Sequence, residues 1–347
     1  HPIPHVSASR EKRNSSQRGK SANYTVARAI VQPDLLFLAA RLLYRDVNTT
    51  EEVTVIIPPA TPWTVPTDAL FTLDQVRCTP PDDAPGKKAA KRALRDKVEE
   101  LDDLQRRLYA DDRHSVLLVF QAMDAAGKDS TIRAVFTGVN PSAFQVTSFK
   151  KPSANELDHD FLWRTTRALP QRGRIGVFNR SYYEEVLVVR VHPEYLGAQK
   201  LPPDVVPASL DDLWPRRFES IVEHERHLVR NGTVILKFWL NVSREEQKRR
   251  FLRRLDIPEK NWKFNAGDVD ERSHWNAYMA AYEDALRHTS KPWAPWFAIP
   301  ADDKPFMRLT VARIVVDTLE SMGLSYPKVD DAERARFDEM RRRLLSE

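Results

Sequence analysis

Only one cysteine, Cys78, occurs in the 347 residues. No intramolecular disulfide framework can therefore hold the chain together, and a reducing, cytoplasmic setting is expected. Long apolar runs are missing too. The longest near the N-terminus, residues 35–44, contains Arg41 and falls short of the roughly 20 apolar residues a membrane-crossing helix needs, so no membrane partner is expected. A strong excess of one charge is also lacking: Lys+Arg 54 against Asp+Glu 49 gives +5, too little by itself to imply a polyanionic partner. His114, His159 and His192 have no metal-ligand spacing to a second His or Cys and are read as structural. Aromatic-interleaved RNA-binding patterns are absent, so no nucleic acid is expected. Internal repeats and heptads are absent as well. What is present is 41% hydrophobic and 30% charged residues, the composition of a folded domain with a sizeable core.

Residues 1–65 show no sustained period, and their Arg/Ser-rich leader and Pro-rich patch at 58–62 read as a disordered extension. A folded α/β domain is expected over 66–325 and a helical tail over 326–347. Leu94, Val98, Leu101, Leu104 and Leu108 fall at helical spacing, predicting a helix over 88–109. Strands are predicted at 115–120, 144–149, 174–178 and 233–240, with helices from 130, at 157–169, at 214–230 and at 244–255. Strands alternating with helices imply an α/β fold whose parallel sheet is covered on both faces.

The chemistry concentrates at residues 120–131. A buried strand runs into a small-residue loop, then Gly127-Lys128, then a helix. That is the layout of a phosphate-binding loop, in which backbone amides, a helix N-terminus and a lysine meet the phosphates. Ala126, Gly127, Lys128, Asp129 and Ser130 are the candidate phosphate contacts, with Arg133 one turn on. The usual first glycine is Ala122, and the usual Ser or Thr after the lysine is Asp129. Asp124 sits inside the loop, where a carboxylate facing phosphates makes sense as a Mg²⁺ ligand or as a base for an acceptor phosphate. The third strand ends at Asn179, where phosphate-loop folds normally place an acid, and Arg180 beside it can fork onto phosphate oxygens or pair with Glu184. Like charges at i,i+4, Arg249/Arg253 and Arg250/Arg254, weaken a bare helix by a few tenths of a kcal/mol each. With Lys260 and Lys263 downstream, they suggest a lid over about 245–275 that closes on phosphates. A solvated helix face is the plainer alternative, since Glu245 and Glu246 lie beside them. Lys150, Arg164 and Arg190 complete the basic candidates.

Several stretches together resemble polyphosphate kinase family 2. They are 123–129 (Met-Asp-Ala-Ala-Gly-Lys-Asp), 138–141 (Gly-Val-Asn-Pro), 147–150 (Thr-Ser-Phe-Lys), 159–164 (His-Asp-Phe-Leu-Trp-Arg), 178–184 (Phe-Asn-Arg-Ser-Tyr-Tyr-Glu), 188–192 (Val-Val-Arg-Val-His) and 258–264 (Pro-Glu-Lys-Asn-Trp-Lys-Phe), with the tail 275–308 also fitting. The resemblance covers about 82–322. It implies a P-loop kinase core with a helical lid. It further implies reversible, direct transfer of a terminal polyphosphate phosphoryl group to AMP or ADP, giving ADP or ATP, with Mg²⁺ and without a phosphohistidine. Asp124 matches the first acidic position and Asn179 the second, where Asn is typical of the AMP-accepting branch. Asp124, Lys128, Asn179 and Arg180 would then be catalytic, and Arg164, Arg180, Glu184 and Arg190 would meet the nucleotide. Ala126–Ser130, Arg133, Lys150, Arg249, Arg253 and Lys263 would meet polyphosphate. A dimer or tetramer is implied. An ATP-dependent nucleoside monophosphate kinase and a non-catalytic polyanion binder stay open on the residues alone.

Overall fold

The computed structural model describes residues 55–68, 70–262 and 264–347. Most of the expected extension, residues 1–54, and the candidate Lys263 lie outside them. Along the chain the helices and strands are α1 (Lys87–Asp111), β1 (Ser115–Gln121), α2 (Lys128–Phe136), β2 (Phe144–Ser148), the single turns α3 (Ala154–Leu157) and α4 (Trp163–Thr166), β3 (Ile175–Asn179), the turn α5 (Val188–Val191), α6 (Leu213–Arg230), β4 (Thr233–Asn241), α7 (Arg244–Asp256), the short α8 (Pro258–Asn261) and α9 (Gly267–Glu271), α10 (Trp275–Thr289), β5 (Trp296–Pro300), α11 (Lys304–Ser321) and α12 (Asp331–Leu345).

The strands form one parallel sheet in the order β2-β3-β1-β4-β5. Every residue of β1, β3 and β5 is buried, as expected for strands covered on both faces. β1 connects outward to β2 on one side, while β3, its neighbour, connects across it to β4. That change of direction opens a crevice at the carboxyl ends of β1 and β3, where the phosphate loop and Asn179 emerge.

Two expectations need correction. The helix predicted over 157–169 is two single turns, because local polar side chains compete for its backbone. The Asp160 carboxylate accepts the Leu162 amide at 2.9 Å, and the hydroxyls of Thr165 and Thr166 donate to the Leu162 carbonyl at 2.8 and 3.0 Å. The four predicted strands are five. β5 is five residues long and bracketed by Pro295 and Pro300, which hides it in a Pro-rich stretch, yet prolines are tolerated at strand ends and on edges. Its open edge is covered by residues 63–65, read above as the end of the extension. The Val65 amide donates to the Trp296 carbonyl and Ala298 donates to Trp63, both at 2.8 Å.

A buried ion pair ties these layers together. Lys237 of β4 and Glu225 of α6 are both fully buried, 2.6 Å apart. Lys237 also donates to the Thr289 carbonyl of α10 at 2.8 Å, and the hydroxyls of Tyr182 and Tyr183 donate to Glu225, each at 2.9 Å. Burial pushes Lys237 down to about 8 and Glu225 up, against their mutual attraction. The pair thereby anchors the segment that follows β3 and carries Arg180.

Candidate active site

The loop between β1 and α2 is held by its carbonyls. Lys128, buried at the start of α2, donates its Nζ back to the Ala122 carbonyl at 2.7 Å. Gln247 of α7 donates to the Asp124 carbonyl at 2.9 Å. Arg250 of α7 donates to the carbonyls of Ala125 and Ala126 at 3.1 and 2.5 Å. The Gly127 carbonyl accepts from the Thr131 amide and the Ser130 hydroxyl, each at 3.0 Å. With the carbonyls pinned back, the first amides of α2, which have no intrahelical acceptor, are free for an anion. The turn itself requires left-handed backbone at Ala125 (φ 62) and Gly127 (φ 113). Burial, then the charge of Arg180, pushes the Lys128 ammonium below its ordinary value, opposed by Asp124, Glu184 and Asp129. An anion beside the ammonium would relieve that cost.

Across the crevice, Arg180 is in a left-handed conformation (φ 65), a strain of about 1–3 kcal/mol for a residue with a Cβ. Its amide donates to the Phe120 carbonyl at 3.1 Å, extending the β1–β3 ladder. The guanidinium bridges Asp124 Oδ1 at 3.0 Å and Glu184 at 3.1 Å. Asp124, Arg180 and Glu184 line a cavity of about 150 Å³ with Gln247, Asp268 and Tyr282. Asn179 does not reach that cavity. Its Nδ2 donates to Asp129 Oδ1 at 2.7 Å and to Ser148 Oγ at 3.3 Å.

The cations divide. Arg249 and Arg250 share Glu246, and Arg254 pairs with Asp268 at 3.2 Å. Arg250 is buried, and its Nη2 reaches the Ala301 carbonyl at 2.6 Å, so it braces the loop against the start of α11. The first half of the expected lid is thus fastened to the phosphate loop, and on α7 Arg244, Lys248 and Arg253 carry cations with no salt bridge among the described residues. A second group was missed in the sequence: Lys304 and Arg308, one turn apart at the start of α11. Neither makes a salt bridge among the described residues, nor does Arg133 of α2. They feel one another: burial and the charges of Arg250, Arg308 and Arg253 push Lys304 down to about 8, and burial with Arg133 and Arg250 lowers Arg308. Arg308 Nε is buried with no acceptor. The signal for this pair was its i,i+4 spacing after the N-capping Asp303.

The remaining candidates lie elsewhere. Lys150 and Arg164 line a separate, wider pocket of about 530 Å³ at the end of β2, together with Trp163 and Arg167. There the Arg164 guanidinium donates to the Lys150 carbonyl at 2.7 Å. Arg190 pairs with Asp284 of α10 at 2.6 Å and is not among the residues lining either space. His159 stacks on Trp163, while His192 lies 3.1 Å from Glu271, which lines the smaller cavity.

Among the described residues no group of three or more His, Cys, Asp or Glu could hold a metal ion by itself. Mg²⁺ needs only one or two carboxylates when substrate phosphates and water complete its shell. The half-buried Asp124, with one carboxylate oxygen bonded to Arg180, fits a metal that arrives on phosphates.

The family model for polyphosphate kinase 2 matches residues 85–326. An ADP-polyphosphate phosphotransferase of Rhodopseudomonas palustris is 56% identical over 252 residues, 73% of this chain and 86% of the relative. An AMP/ADP-polyphosphate phosphotransferase of Meiothermus ruber is 46% identical over 247 residues, 71% of this chain and 87% of the relative. The crystal structure of polyphosphate kinase 2 from Arthrobacter aurescens TC1 superposes with a TM-score of 0.72 at 36% identity, covering 82% of this chain and 98% of that one.

Proposed function

The chain belongs to the polyphosphate kinase 2 family, and from that premise we propose that it transfers the terminal phosphoryl group of inorganic polyphosphate to AMP and ADP, reversibly and with Mg²⁺. It is a polyphosphate-dependent nucleotide kinase with the P-loop kinase fold. The observation that carries the reading is the group formed by Arg133, Lys304 and Arg308 beside the phosphate loop, cations with no acid paired to them among the described residues. ATP brings a short phosphate tail to such a loop. A polymer of phosphates gives every one of these cations a partner, which disfavours an ordinary ATP-dependent monophosphate kinase.

Phosphoryl transfer asks for alignment and charge neutralisation rather than covalent chemistry. The amides at the start of α2 and Lys128 hold the transferring end of the polymer. Arg180, held between Asp124 and Glu184, is within reach of the same phosphates and neutralises charge that develops between polymer and acceptor. Asp124 orients the acceptor phosphate. Asp124 and substrate oxygens would hold Mg²⁺, which would supply further charge neutralisation. Glu184 and Tyr282 close the wall behind the acceptor and help exclude water.

The double variant Lys304→Ala/Arg308→Ala tests the polymer track. KM for long-chain polyphosphate is expected to rise about tenfold or more while KM for the nucleotide stays within about twofold. Equal changes in both constants, or in neither, would contradict the assignment. Use of both acceptors is supported by the Meiothermus ruber relative, whose name covers AMP and ADP. A dimer or tetramer is supported by α12, which leaves Phe337, Met340 and Leu344 exposed, and light scattering would test it. The single cysteine supports a cytoplasmic setting.

A further inference from the structure

Phosphate-loop enzymes commonly hold their metal between a Ser or Thr hydroxyl just after the loop lysine and an Asp at the end of the neighbouring strand. Here both positions are changed together. Asp129 follows Lys128, and Asn179 ends β3. The two side chains meet, with Asn179 Nδ2 2.7 Å from Asp129 Oδ1.

We propose that the second carboxylate of this site has been transposed from the strand to the helix: Asp129 faces the incoming metal–phosphate, and Asn179 is the positioning residue that aims it. Three observations support this. Asn179 is 9% exposed and its Nδ2 donates to both Asp129 and Ser148, so both amide protons are committed to a bracket. Asp129 is exposed and, unlike Asp124, makes no salt bridge among the described residues. Its Oδ1 is turned to Asn179, and no cation among the described residues competes for the carboxylate. Its place in the first turn of α2 favours a negative charge there. The geometry also explains why the strand position is an amide. An Asp at 179 would set two carboxylate oxygens near the 2.7 Å now spanned by a hydrogen bond, an arrangement tolerated only with a proton or a metal between them. The two positions thus form one unit with room for one free carboxylate.

The activity part of the test rests on the polyphosphate kinase reading, whereas the stability part does not. Asn179→Asp, Asp129→Asn and the exchanged double variant would each be melted in EDTA and in Mg²⁺ without substrate, and assayed with polyphosphate and ADP. Asn179→Asp is expected to melt several degrees lower in EDTA and to regain the difference in Mg²⁺. Asp129→Asn is expected to keep its midpoint, since an amide oxygen still accepts from Asn179, yet to lose about tenfold or more in kcat. The exchanged variant should restore the EDTA midpoint and most of the lost kcat. A double variant whose losses equal the sum of the single losses in free energy would overturn the proposal. So would an Asn179→Asp midpoint that ignores EDTA, or an Asp129→Asn enzyme with full kcat. Inactivity of the unaltered protein would refute the kinase reading alone and leave the melting comparison to decide the pairing.

Discussion

Lys128 and Asp124 do different work within the same loop. Lys128 is buried and bonded to the loop's own Ala122 carbonyl, so it is already placed where the proposed phosphate would sit. Asp124 is tied to Arg180, a pairing that an entering substrate would have to release or share. Lys128→Ala and Asp124→Asn are each expected to cut transfer by about 100-fold or more while leaving circular dichroism and the melting midpoint near those of the unaltered protein. Near-normal turnover in either would refute its role. Lys304 offers a test by pH. Its ammonium is pushed down to about 8 by burial and by Arg250, Arg308 and Arg253, so it is charged below that pH and neutral above. A bound polyanion favours the charged form, hence KM for polyphosphate should rise as pH climbs from 7 to 9. Lys304→Arg, charged throughout, should flatten that rise. At this scale the loop residues were legible in the sequence because a lysine between a strand and a helix has few other uses. Lys304 and Arg308 were not, because their meaning depends on α11 beginning beside α2, more than 160 residues away in the chain.

Elements, rather than single contacts, hold the site open. β4, α6 and α10 converge on the Lys237–Glu225 pair, and through Tyr182 and Tyr183 the pair holds the turn that keeps Arg180 left-handed. Lys237→Met leaves Glu225 buried without its cation and is expected to cost about 3–5 kcal/mol in urea unfolding. Lys237→Met/Glu225→Gln should recover most of that, since a glutamine oxygen still accepts from both tyrosines. Recovery of less than about half would show that the charge itself, and not the burial of an unpaired one, stabilises the element. The basic stripe of α7 shows where element-level reading of a sequence stops. Spacing places Arg249, Arg250, Arg253 and Arg254 on one helix, but not their partners. Glu246 satisfies two of them and the loop carbonyls satisfy Arg250 again, so the residue that looked like a lid cation is a brace. The helix expected over 157–169 failed for a related reason: periodicity reports apolar spacing, not the competition of Asp160 and two threonines for the backbone.

That the sheet is parallel was legible because buried parallel strands are continuous apolar runs alternating with helices, whereas its order β2-β3-β1-β4-β5 emerges only from the folded structure. β5 escaped because five residues between prolines carry no period of their own. At this scale the phosphoryl donor is decisive: a crevice with a phosphate loop at its centre, and beside it cations with no salt bridge among the described residues, suits a polymer of phosphates. The most direct test mixes the purified protein with long-chain polyphosphate, Mg²⁺ and either AMP or ADP, and separates the nucleotides by chromatography. ADP formed from AMP, and ATP formed from ADP, with no other phosphoryl donor present, is the expected result. Transfer to AMP from ATP but none from polyphosphate would contradict it.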